Sequence, residues 1–210
     1  MSLNEILIDE LRDLYSAENQ LVKALPKVVR GISNPEMKQM VKDHLEETKN
    51  QVLRLREVFG HIGKKPTGKH CSGMEGCIKE VQEALEEDYE GALMDASITG
   101  ASLRVEHYEI AGYTVAIAIA KALGEKDIVA LLTETLNEET KAAKNVVAGS
   151  KPVLKEALTQ EDPEEDEEHE EEEEKDPKEQ ESEQKSEEDE QEAAGDVQGG
   201  TAPKKAAKKA

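Results

Sequence analysis

Large aromatic rings are almost absent from this chain. Its 210 residues include no tryptophan, one phenylalanine (Phe59) and four tyrosines. A core without rings must be filled by Leu, Ile, Val, Ala and Met. That suits closely packed helices better than a β-sandwich, which draws on aromatic and β-branched residues. Cysteine is scarce as well, with only Cys71 and Cys77, both inside CSGMEGC. The stretch MSLNEILIDELRDL shows no basic segment followed by an apolar run, so no export signal is read there. A cytoplasmic protein with free thiols is expected. A zinc site from Cys71, Cys77, His70 and His61 is conceivable, but its spacing fits no trusted zinc pattern. No apolar segment reaches the ~18 residues of a membrane span. The longest candidate, Ile110 to Leu123, contains Lys121 and reads as a buried helix.

What the chain has in excess is negative charge, a formal net of −21, and it is unevenly placed. From Thr159 to Ala210 there are 22 acidic and 7 basic residues, whereas the first 158 residues hold 26 acidic and 20 basic. Between Glu161 and Glu192 no apolar side chain occurs. Such a segment buries nothing to offset chain entropy and is expected to be disordered. Two parts are therefore expected: a domain over 1–158 and an acidic tail over 159–210 that ends in PKKAAKKA. Keeping the protein soluble is the simplest role for the tail, and capture of a cationic partner is the alternative. Four terminal lysines beside so much negative charge argue against nucleic-acid binding.

Within 1–158 the apolar residues recur at helical spacing. A first helix is expected from Leu3 to about Arg30, kinked or ended locally by Pro26. A second starts at Pro35 behind an Asn34 cap, with a stripe of Met37, Val41, Leu45, Thr48, Val52, Leu55 and Phe59. A polar loop spans Gly60 to Ser72, and Ser72-Gly73-Met74-Glu75 can cap a short helix to about Glu87. A third long helix is expected from about Tyr89 to Leu123, with Gly124 as its left-handed cap. A fourth runs from about Lys126 to Val147, with a last turn or two near Pro152 to Leu158. Short turns within each pair and a long second-to-third connection point to an all-α, ferritin-like four-helix bundle with an extra short helix in the crossover.

Several glutamates fall where apolar residues belong. A helix turns ~100° per residue. On that wheel Glu18 lies amid Leu7, Leu11, Leu14, Leu21 and Leu25. Glu106 is in register with Thr99, Leu103, Ile110, Tyr113 and Ile117, with Glu109 one turn on. Glu139 falls in the stripe of Leu132, Leu136, Ala143 and Val146. On the second helix His44 lies beside the stripe, about 60° from Val41, and Glu47 lies further round the same flank, so the two can act together. Buried carboxylates are costly unless paired or bound to metal. Arg12, Lys23, Arg54 and Arg104 are available as partners, and divalent cations are the other remedy. Oxygen-rich ligation with one imidazole suits iron or manganese.

DLYSAENQL (Asp13 to Leu21), HLEET (His44 to Thr48), VEHYEIAGY (Val105 to Tyr113) and LNEET (Leu136 to Thr140) resemble the bacterial YciE/YciF stress-protein family. The resemblance covers about residues 3 to 158, includes CSGMEG, and leaves the tail out. It implies a ferritin-like fold and a di-iron-type site of Glu18, His44, Glu47, Glu106, Glu109 and Glu139, in a family whose members are sometimes labelled ferroxidases. Two departures from the wider ferritin-like pattern stand out. The second helix has His-x-x-Glu in place of Glu-x-x-His, and Ala142 stands where a His would follow Glu139. Glu138 is an alternative fourth-helix ligand.

Two functions are expected to compete. One is a di-iron or di-manganese protein that oxidises Fe(II) or consumes peroxide or oxygen, with Tyr113 as a catalytic hydrogen-bonding group or simply a core tyrosine. The other is a metal-free helical stress scaffold. Either is expected to form a homodimer or higher homo-oligomer.

Overall fold

The protein is described from a computed structural model that covers residues 2–67 and 69–161. The disorder expected of the acidic tail falls, beyond Glu161, outside the described residues. The described chain forms five helices: α1 (Leu3–Gly31), α2 (Pro35–Ile62), α3 (Ser72–Ala84), α4 (Gly91–Leu123) and α5 (Lys126–Glu161). None is long and apolar enough to cross a membrane.

Local chemistry sets the starts and stops. Ser2 and Glu5 form a reciprocal capping box on α1: the Glu5 N–H donates to Ser2 Oγ and the Ser2 N–H to the Glu5 carboxylate. Asn34 accepts from the N–H groups of Glu36 and Met37, both at 3.0 Å, as its cap role requires. Gly124 closes α4 at φ 79°, in the left-handed region.

Pro26, expected to kink or end the first helix, does not end it, and the fourth long helix is longer than expected. α1 runs through Pro26, and α5 runs through Pro152 to Glu161 rather than stopping near Val147. Each Pro costs its turn one hydrogen bond. Burial just beyond it outweighs that loss, through Val28 and Ile32 after Pro26 and Val153 and Ala157 after Pro152. The short crossover helix also differs from expectation. Its cap is Cys71, whose Sγ accepts from the Met74 N–H at 3.4 Å, and it ends at Ala84. Ser72 is left exposed because Cys71 is the residue drawn into the core.

α1 and α2 form one antiparallel hairpin, and α4 and α5 the other. α2 and α5 pack antiparallel, with Glu47 facing Lys141 and Arg54 facing Glu134. α2 and α4 therefore run in the same direction, and the crossover carrying α3 over α1 and α4 makes this possible. The result is the ferritin-like four-helix bundle with its extra crossover helix. Where α1 turns into α2, buried Asp95 of α4 accepts from the N–H groups of Ser33 at 2.8 Å and Asn34 at 2.6 Å. Asp95→Ala strands both donors and is expected to cost about 3 kcal/mol, measured as a lower urea midpoint at unchanged slope.

The core is not continuous. One apolar cluster packs Ala17 to Val28 of α1, and Ile32 just beyond its end, against Met94 to Val105 of α4. The second packs Leu7 to Leu14 against Tyr113 to Ala120. The level between them is polar.

Candidate metal centre

That polar level is built from four helices. Glu18 projects from α1, His44 from α2, Glu106 and Glu109 from α4, and Glu139 from α5. All are buried, none more than 8% exposed. One ligand atom from each of His44, Glu106, Glu109 and Glu139 lies within 4.8 Å of the others. His44 Nε2 is 3.5 Å from Glu106 Oε1. Glu18 stands beside this group with Tyr113 O–H donating to its Oε1 at 2.5 Å.

The expected residues fall into two sets. Glu18, His44, Glu106, Glu109, Glu139 and Tyr113 converge in the interior. Glu47 does not: its side chain is 34% exposed, 4.0 Å from His44 Nδ1 and 3.6 Å from Lys141 Nζ, so it stands at the rim. Glu138 is drawn away by Arg54, whose two terminal nitrogens each reach a different Glu138 oxygen at 2.9 Å. Glu139, one residue on, turns inward.

Two faces lie differently from their expected stripes. His44 is central on α2, whereas Val41 and Leu45 are half-buried. On α4 the inward face follows Ile98, Val105, Glu109, Tyr113 and Ala116, with Leu103 and Ile110 only half-buried. Small residues on α4 allow close packing on the face that carries them, so bulk is a poor guide to direction there.

Gln51 was not anticipated. It is fully buried, and its amide donates to Glu139 Oε1 and, at 3.0 Å, to Glu138 Oε2. It lies seven residues after His44, two helical turns along the same face. That spacing is the signal that could have singled it out.

The cluster is polar without being satisfied. Glu18 Oε2, both His44 ring nitrogens, Glu106 Oε2, both Glu109 oxygens and Glu139 Oε2 are buried with no hydrogen-bond partner. Two of the cations that might have paired with them are engaged elsewhere: Arg54 with Glu134 and Glu138, and Arg104 with Glu80. Burial is the largest cause pushing the Glu18, Glu106, Glu109 and Glu139 carboxyls above their ordinary range. Mutual repulsion adds to it, with Glu139 acting on Glu18 and Glu106, and Glu18 on Glu109. Burial also holds the His44 imidazole below its ordinary value and the Tyr113 phenol well above its own. Without a cation the site therefore tends to keep protons, and Glu106 hydrogen-bonds to Glu139. Four carboxyls and a neutral imidazole with free lone pairs are the donor set that a pair of hard or borderline divalent ions requires, so the residues fit such a group.

The cysteines are reduced, and neither joins a metal-type cluster among the described residues. Cys71 Sγ lies 2.9 Å from Asp13 Oδ2 and 3.0 Å from the Tyr108 hydroxyl, and His70 lies 2.9 Å from Glu75.

The sequence profile of the family described as a domain of unknown function, DUF892, matches residues 2–163. Protein YciF of Escherichia coli (strain K12) is 39% identical over 139 residues, which is 66% of this chain and 84% of that protein. The crystal structure of the E. coli stress protein YciF superimposes with a TM-score of 0.71 at 35% identity, covering 73% of this chain and 98% of that one. The structure of YcfI from Rhodopseudomonas palustris, described as a candidate structural protein, gives a TM-score of 0.68 at 42% identity, over 70% and 93% of the two chains.

Proposed function

The chain belongs to the DUF892 family, and on that premise we propose that it is a stress-associated di-metal carboxylate protein. Iron or manganese is held by Glu18, His44, Glu106, Glu109 and Glu139, with Glu47 at the rim. The observation that carries this reading is the convergence of buried carboxylate and imidazole atoms that have no other partner. An apolar core does not retain such groups at no cost. The stress association comes from the relative YciF.

Bound metal would supply redox chemistry and open positions for oxygen or peroxide, and so for oxidation of Fe(II). The protein's own residues prepare that site. Gln51 fixes the orientation of Glu139, and Arg54 keeps Glu138 out of the cluster. Tyr113 holds Glu18 by one oxygen and leaves the other free. Neutral His44 offers a lone pair. The half-buried Glu47, with the exposed Lys141 beside it, stands between solvent and His44.

A second reading is supported by the bonds that the cluster makes without metal, Tyr113 to Glu18 and Glu106 to Glu139. It is a metal-free oligomeric scaffold, in line with the structural role suggested for YcfI. Elemental analysis of the full chain expressed with added iron or manganese separates the two. About two ions per chain, together with consumption of Fe(II) or peroxide, are expected on the first reading. No bound ion under either supplement leaves the scaffold.

A further inference from the structure

A cavity of about 580 Å³ opens beside the cluster, within the range of small-molecule sites. All five helices contribute walls, including Leu25, Met37, Val81, Val105 and Val146. Along α2 it reaches from Met37 to Glu47, about 15 Å at helical rise. The walls are mostly aliphatic, with polar side chains such as Gln39, Asp43, Lys141 and Asn145 at the exposed margin along its length. The outer end has Asn34 and Glu36. The inner end has His44 and Glu106, which are 8% and 4% exposed and carry ring nitrogens and an oxygen without partners. Ala142, where a longer side chain would fill this inner end, leaves it open.

The cavity opens to solvent along one side, and one side chain crosses part of that opening. Met40 of α2 reaches across to Gly149 of α5, so closely that a Cβ on Gly149 would lie 2.8 Å from Met40 Cε. A flexible thioether in that position can swing aside. An apolar helix of a second copy laid here would leave His44 and Glu106 unpartnered.

We infer that this cavity binds one saturated fatty acyl chain, with its carboxyl head at the His44–Glu106 end. The inference deepens the proposed function and rests on it for the position of the head, which would complete the coordination of bound metal. The chain-binding half rests on the cavity alone.

Laurate, added below its micelle threshold to the full chain with and without manganese, tests this by titration calorimetry. Saturation near one laurate per chain is expected. Val41→Phe and Val146→Phe, both at half-buried wall positions away from the cluster, are expected to weaken binding at least about tenfold. Melting curves check that the variants fold. A measurement on the unaltered protein guards against misfolding: laurate should shift the visible bands of the cobalt(II)-loaded form, whereas a headless alkane of equal length should not. No heat of binding to either form overturns the inference, as does binding indifferent to both substitutions. A dimer whose formation excludes laurate also overturns it and assigns the cavity to a second copy. Laurate binding by protein that takes up no metal keeps the cavity assignment and removes the metal centre.

Discussion

Chains carrying Glu18→Ala together with Glu106→Ala are expected to purify free of iron and manganese under conditions in which the unaltered protein holds both ions. The two substitutions remove a carboxylate from each of two facing helices, α1 and α4, and leave His44, Glu109 and Glu139 too few to hold a pair. An affinity loss beyond about 100-fold is expected, since removal of supporting groups alone typically costs 10–100-fold. Gln51→Leu supplies that intermediate case. It frees Glu139 to rotate without deleting a ligand, and about tenfold weaker metal retention is expected. Glu57→Ala on the outer face of α2, where the side chain is 62% exposed, should change nothing. Elemental analysis and metal titration read all three. Full metal content in the double variant would show that the ions sit elsewhere.

The second large effect concerns pH, and its sign reverses with metal. In metal-free protein the four buried carboxyls titrate above their unfolded value of about 4.5. Below that value both folded and unfolded states hold the protons, and this contribution to stability is fully present. As pH rises, the unfolded chain releases protons that the folded chain keeps, so stability is lost until the folded values are passed. Each carboxyl held in this way contributes about 1.4 kcal/mol per pH unit, large against a total of roughly 5–15 kcal/mol. His44, held neutral by burial, acts in the other direction and favours the fold above its ordinary value. The net expectation is a melting temperature that falls as pH rises above about 4.5. Glu18→Gln/Glu109→Gln, which cannot lose those protons, should be flatter, and the difference between the two curves cancels the charge of the tail. Metal-loaded protein should behave oppositely, because bound ions need deprotonated ligands and acid releases them. A metal-free difference curve that rises with pH would show that the cluster is ionised in the fold.

Glu18 and Glu139 could be read from the chain because they interrupt regular leucine stripes, and a charge on such a stripe has only one direction to point. Asn34-Pro35 and Gly124 were legible for a similar reason, since a cap depends on the few residues beside it. His44 was harder. On α2 the apolar residues Val41 and Leu45 suggest one face, but both are only half-buried, Val41 on the wall of the cavity, and the inward direction shifts to His44, Thr48 and Gln51. Pro26 does not end α1 because the penalty of a proline is local, whereas the burial that outweighs it comes from other helices. Glu138 and Glu139 differ by one residue and 100° of rotation, and Arg54, distant in sequence, draws one outward.

Periodicity, caps and composition by themselves determined that this chain makes long paired helices with carboxylates on their inner faces, because those properties depend on neighbours within a few residues. Only the tertiary structure decided which of the carboxylates meet, that Glu47 stays at the rim, that Gln51 supports Glu139, and that a largely apolar cavity reaches His44 and Glu106. Each of these depends on the rotation and spacing of helices packed against one another, which side-chain volumes and long-range ion pairs set.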